Sequence, residues 1–418
     1  MNHLGFIGLL AWPVALASAG FAADDILDRV DDSLTFSRDH GEARARVSGL
    51  FDLEGYESPQ PPPGILFTES HELFNPRLTT YLDAQLGPWI YIFAQARADR
   101  GFDPGDERLQ WRLDEYALRL ALGHSGKCNL QVGKFATVVG NWVARHDSWS
   151  NPLVTAPLPY ENLTGLWDTA APRSAEQVLA WAHVLPGSYA ETSDADKYRQ
   201  IPIIWGPSYT LGAAVSGVLG RVDYALEIKN GSLSSRPEAW TDTAALSQHP
   251  TVSGRFGYRP NEMWNLGLSA SSGPYLLPSA IPTLPSGRGL GNYRETVLGQ
   301  DIGFAWHHFQ FWSEVYATRF SLADVGHADT WAYYLEAKYK FTPQFFGALR
   351  WNQQFFGTVN DREGAAVHWG RALCRLDLGP GYRFTPHTQF KLQVSLQHEA
   401  GDGQHFTASL AAQFTARF

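Results

Sequence analysis

Blocks of about ten residues alternate apolar and polar side chains with a period of two, and the polar face carries charge. In 309–319, Phe309, Phe311, Val315 and Ala317 share one face, while Gln310, Glu314 and Thr318 share the other. In 330–341, Trp331, Tyr333, Leu335, Ala337, Tyr339 and Phe341 alternate with Glu336, Lys338 and Lys340. In 388–397, Phe390, Leu392, Val394 and Leu396 alternate with Lys391, Gln393, Ser395 and Gln397. A period of two is that of a β-strand. An unpaired charge is too costly in a dry core, so the second face is expected to meet water. Strands with one apolar and one wet face, in blocks of this length, are those of a transmembrane β-barrel.

Composition narrows the field to the same class. Of 418 residues, 18% are charged and 13% aromatic, where a globular chain carries about 25% charged residues. A mean hydropathy of −0.24 excludes a bundle of membrane helices. A net charge of −9 argues against a nucleic-acid partner, which requires a basic stripe. Two cysteines cannot form a disulfide framework. Cys128 and Cys374 lie about ten strands apart and are expected as thiols.

Sixteen strands are predicted, at 43–54, 77–86, 89–99, 111–122, 129–136, 209–219, 221–229, 251–259, 262–271, 296–306, 309–319, 330–341, 344–353, 369–384, 388–397 and 406–418. The expected fold is all-β, a transmembrane antiparallel up-and-down barrel of sixteen strands. It has eighteen if 175–184 is also a strand with a partner in 186–200. Short turns, among them Gly87-Pro88, Gly220, Pro260-Asn261, His307-His308 and Thr342-Pro343, alternate with long polar stretches at 55–76, 100–110, 230–250, 272–294, 320–329, 354–368 and 398–405. Tight turns on one side and long loops on the other are the outer-membrane arrangement. Aromatic residues flank the short turns (Phe256, Tyr258 and Trp264; Phe304, Trp306 and Phe309; Phe341 and Phe345), as a girdle at a membrane boundary would.

Residues 4–23 form the only long apolar run, interrupted by Pro13 and ending in Ala17-Ser18-Ala19 and Gly20-Phe21-Ala22. This pattern predicts a cleaved secretory signal over 1–22, followed by a short periplasmic lead-in over 23–42 with a helical turn at 26–29. The barrel is then expected over 43–418. The final segment, 406–418, places Phe406, Ala408, Leu410, Ala412, Phe414, Ala416 and Phe418 on one face. Such a strand closing on Phe418 resembles the assembly signal of bacterial outer-membrane proteins, which implies recognition by the barrel assembly machinery.

The stretches LQVGKFATVVGNW (130–142), SWSNPLVTAPLPYENLTG (148–165) and GAAVSGVLGRVDYALEIKNGS (212–232) resemble porins of the phosphate-selective type. The resemblance covers the middle third of the chain. It implies a barrel embedded in outer-membrane lipid that can form a homotrimer and pass small solutes. It does not imply phosphate selectivity, because no dense Lys/Arg ladder is present: 33 basic residues face 42 acidic ones.

The longest connection, 137–208, is expected to set the width of the pore, since a long loop in a compact architecture is usually functional. Lys134 just before it, and Arg145, His146, Asp147, Glu161, Asp168 and Arg173 within it, are candidates to face the channel. Strand parity adds Arg44, Arg46, Arg77, Asp83, Arg97, Asp99, Glu115, Arg119, Glu227, Glu314, Lys338 and Arg350 on the inner face. Charged rings at a constriction select ions by sign. Arg145-His146-Asp147-Ser148 holds the residue types of a triad, but consecutive residues cannot form its geometry. No catalysis, cofactor or metal is therefore expected. The expected function is a water-filled porin for passive diffusion of small hydrophilic solutes or ions. The alternatives are a channel specific for an anion or a sugar, and a plugged structural or enzymatic barrel.

Overall fold

Alternation requires every strand to find a partner on both edges, and the chain meets that requirement by closing on itself. The computed structural model describes residues 26–418, apart from 39–41, 61, 69, 101–107, 124–125, 183, 185–196, 198, 243–247 and 402–404. The wall consists of β1 (Ala43–Glu57), β2 (Glu72–Leu86), β3 (Ile90–Asp99), β4 (Gln110–Ala121), β5 (Asn129–Phe135), β6 (Thr210–Leu219), β7 (Val222–Lys229) and β8 (Thr251–Tyr258). It continues through β9 (Trp264–Pro274), β10 (Arg294–Trp306), β11 (Phe309–Leu322), β12 (Gly326–Lys340), β13 (Phe345–Phe356), β14 (Leu373–Arg383), β15 (Thr388–Glu399) and β16 (Thr407–Arg417). Each strand pairs antiparallel with its sequence neighbours, and β16 pairs with β1 from Leu410↔Glu57 to Arg417↔Leu50. The result is an up-and-down barrel with no free edge, the arrangement that satisfies every strand without a second sheet.

At the seam the Phe418 ring lies over Gly49, where a Cβ would sit 2.4 Å from Cζ, so only glycine admits the terminal ring. Below the end of β16 a short strand, Thr35–Arg38, continues the seam by pairing with Arg46 to Ala43. A helix over 26–33 precedes it, longer than the turn expected there. Asp31 grips Arg46 at 2.8 Å and Asp28 meets His387 at 2.8 Å. The expected signal segment lies outside the described residues.

The outward face is apolar. Leu268, Leu298, Trp331, Leu335, Leu349 and Leu378 are all exposed there. At the short turns the aromatic residues contact one another: Trp264 with Phe304 at 4.6 Å, Phe304 with Phe309 at 6.3 Å and Phe341 with Phe345 at 5.4 Å.

Each of the sixteen expected strands is present, but two expectations fail. Residues 320–329 are no long loop: β11 and β12 extend through them and leave only 323–325 between. The segment 175–184, whose addition would have made eighteen strands, is no strand, which leaves the expected sixteen. Ala175–Trp181 is an α-helix, with the Ser174 hydroxyl accepting the Gln177 N–H as its cap. Val178, Leu179 and Trp181 are buried, and Trp181 stacks on Trp167 at 4.5 Å. The second failure lies on the inner face.

Candidate functional site

The described residues of 136–209, between β5 and β6, turn into the barrel and fasten to the inner faces of β11–β15. Gly140 begins the crossing. Its φ is +77°, and a Cβ would lie 2.5 Å from the Tyr160 hydroxyl, so both conformation and space demand glycine. Glu314 then accepts the Asn141 N–H, the Trp142 N–H at 2.9 Å and the Tyr160 hydroxyl at 2.7 Å. Arg145, in a short 3₁₀ turn, donates to Glu336 at 2.5 Å and to the Tyr334 hydroxyl at 3.1 Å. Arg350 reaches the carbonyls of Thr155 and Ala156, each at 3.0 Å, while pairing with Glu336 and Asp377. Arg375 pairs with Glu161 and with Asp377.

The tip of the segment is held as firmly. Lys391 Nζ donates to the carbonyls of Ser148, Asn151 and Leu153, between 2.8 and 3.1 Å. Gln393 Oε1 accepts the N–H groups of Val154 (2.7 Å) and Thr155 (3.0 Å). Trp149 lies between the guanidiniums of Arg383 (5.0 Å) and Arg417 (4.2 Å).

This is where the wet inner face fails as an expectation. Glu314, Glu336, Arg350 and Asp377 are 0% exposed. Their charges are balanced by one another and by the backbone of the inserted segment, the alternative to hydration that a buried charge requires.

On the opposite side a cavity of about 290 Å³ remains between the inserted segment and the inner faces of β1–β4 and β16. Charged pairs line it. Arg77 pairs with Asp52 (3.0 Å) and Glu54 (2.5 Å), Arg112 with Asp99 (2.5 Å) and Asp114 (3.0 Å), and Arg97 with Asp114 (3.1 Å). From the inserted segment come Trp142, His146, Asp147 and Glu161. Burial lowers the His146 pKa below its ordinary 6.5, and the ring bonds the Val143 carbonyl and the Tyr209 hydroxyl, each at 2.5 Å. Burial pushes the Glu161 carboxyl up, against the pull of Arg375 and Arg350. A second, more open cavity of about 1130 Å³ lies beside the short turns at Gly220 and Pro260 and is lined by Arg145, Arg221, Arg259 and Gln310.

The candidate residues therefore separate into groups. Arg77, Arg97, Asp99, His146, Asp147 and Glu161 line the cavity beside β1–β4. Glu314, Arg350 and Arg145 hold the inserted segment instead, as does Glu227, which accepts the Thr137 hydroxyl at 2.7 Å. Lys338 lies over the Phe346 ring at 4.1 Å, and Lys134 donates to the Leu113 carbonyl at 3.1 Å beneath Trp240. Glu115 accepts the Ala136 N–H at 2.7 Å, and Arg119 donates to Gln131 at 2.8 Å. Asp83 bonds the Tyr91 hydroxyl, while Arg44 and Arg46 are exposed near the lead-in.

Asp168 lines neither cavity. It is fully buried against Arg236, with two contacts of 2.5 Å, and burial pushes its pKa up to about 6. Arg173 is exposed outside both cavities. Parity missed Arg112 and Asp114, because β4 carries a register shift opposite Gln95/Ala96. Such a bulge turns Asp114 and Glu115 inward together. Asp52 and Glu54 had a signal in the sequence: they share the parity of Arg44 and Arg46 on one strand.

No family model matches this chain, and no curated protein is similar to it in sequence. Solved structures are similar in fold. An anion-selective porin from Comamonas acidovorans matches with a TM-score of 0.53 and 9% identity, over 90% of this chain and 100% of that one. OmpF of Salmonella typhi, in complex with daunomycin, matches with a TM-score of 0.54 and 10% identity, over 92% and 100%. The outer-membrane channel DcaP of Acinetobacter baumannii matches with a TM-score of 0.51 and 10% identity, over 92% and 99%. At these identities the likeness is one of architecture: the chain has the sixteen-stranded fold found in outer-membrane porins.

Proposed function

We propose that this chain is an outer-membrane porin through which small hydrophilic solutes diffuse passively. A closed barrel with an apolar exterior is what hydrocarbon demands of strands, since no backbone group is left unpaired. The observation that carries the reading is the fastening of the 136–209 segment to one side of the lumen, beside a cavity lined by charged side chains. A soluble barrel would fill its interior with apolar side chains. Here buried charges of the wall share the interior with apolar clusters, and cavities of about 290 and 1130 Å³ remain open.

In this reading residues 1–22 are an export signal, 23–42 a periplasmic lead-in, and Phe418 marks the strand that the assembly machinery recognises. The homotrimer belongs to the same proposal. A second reading, a sugar-specific channel, is favoured by the rings of Tyr56, Tyr81, Trp142, Trp205 and Tyr209 along the same cavity, because aromatic faces stack on sugar rings.

Planar-bilayer recording of the purified, refolded protein tests both. Stable ohmic steps support the porin. Small steps blocked by one added sugar support the specific channel. No conductance from a barrel shown to be folded sinks both and leaves a plugged structural or enzymatic barrel.

A further inference from the structure

Resting on the channel reading, we infer that the open passage favours cations over anions, and that Asp147 at the tip of the inserted segment sets this preference. Seven carboxylates and four guanidiniums line the cavity. All four guanidiniums are engaged: Arg77, Arg97 and Arg112 by the carboxylates of the β1–β4 wall, and Arg375 by Glu161 and Asp377. The wall guanidiniums keep 16–19% exposure, but each already has its charge balanced by a sealed carboxylate, so none offers a permeating anion an unpaired cation. Asp147 differs. Its Oδ1 accepts the backbone N–H groups of Trp149 and Ser150, each at 2.8 Å, and it forms no ion pair among the described residues. Lys391 and Arg417 act on it only at a distance, since the Lys391 N–H groups go to three carbonyls and Arg417 lies over the Trp149 ring.

A second feature of the cavity points the same way. Glu54 takes the side-chain N–H groups of Gln413 (2.6 Å) and Asn75 (3.5 Å). Their amide oxygens are thereby left as acceptors: Gln413 Oε1 and Asn75 Oδ1 are buried without a donor, and both residues line the cavity. Gln413 is only 2% exposed. Unspent oxygen acceptors beside excess carboxylate suit a hydrated cation or an organic ammonium group. A narrow, low-dielectric passage focuses that field.

The test is the zero-current potential of the full chain in a planar bilayer across a tenfold KCl gradient, from about 100 to about 10 mM, where the screening length grows from about 10 to about 30 Å. The dilute side is expected to turn positive, with a K⁺/Cl⁻ permeability ratio above unity. Asp147→Asn keeps the Oδ1 acceptor and should move the potential towards zero, and Asp147→Lys should move it further. Glu363→Gln, on an exposed hairpin tip, removes the same charge outside the lumen and should change nothing. A negative dilute side, or equal potentials for wild type and Asp147→Asn, overturns the inference while the channel reading stands. Absent conductance from a folded barrel overturns both.

Discussion

The two sides of the lumen are built from the same kind of sequence and end in different states. On β11–β15 the inward Glu314, Glu336, Arg350 and Asp377 are sealed beneath the inserted segment and serve as its anchors. On β1–β4 the inward Arg77, Arg97, Arg112 and their carboxylates stand beside open space. A polar inner face does not by itself make a wall that meets water. Whether a charge faces water or a loop depends on which side the loop lies against.

That contrast can be broken by mutation, starting with the largest effect. Asp377 is shared by Arg350 and Arg375, both buried. Asp377→Ala leaves two buried cations short of a partner and should cost about 3–5 kcal/mol, read as a lowered unfolding midpoint, with noisier conductance as the segment loosens. Asp52→Ala on the open side should cost less, because it touches one cation instead of two and Arg77 is 19% exposed where Arg350 and Arg375 are sealed. Equal losses would erase the distinction. Next, Glu314→Gln weakens bonds that a charged acceptor makes to Trp142 and Tyr160. A loss of about 1.5–3 kcal/mol is expected, with the K⁺/Cl⁻ ratio unchanged since Glu314 lies outside the cavity lining. A shifted ratio would place it on the permeation path.

Trp149→Ala removes a ring held between Arg383 and Arg417. About 0.5–2 kcal/mol is expected, measured by urea titration of the refolded barrel. The smallest effect is the pH response of His146. Its folded pKa is depressed by burial, so on acidification the unfolded chain takes up the proton first. Its contribution to stability is present above about 6.5 and is lost as pH falls through that value towards the folded pKa. His146→Gln should flatten this part of the stability profile; an unchanged slope would assign it to other groups.

Strand number, strand placement and the two faces follow from the sequence alone, because a period of two assigns each side chain to a face without reference to any partner. The identity of β4's inward residues did not follow, because one bulge reverses parity for Arg112 and Asp114. The helix at Ala175–Trp181 was ambiguous for another reason. A short apolar run fits either a helix or a strand, and its Ser174 cap and the Trp167 stack decide for helix.

Local chemistry therefore wrote the barrel, and long-range contact wrote the cavity inside it. Asp147 and Asp168 both looked like charges on one long loop. One stands at the cavity and the other is locked to Arg236, 68 residues away in sequence. Nothing in their local sequence separates them, because burial and ion pairing depend on which wall the loop meets. That is settled only when Gly140 lets the chain turn inward and Glu314, Arg350 and Lys391 take hold of it.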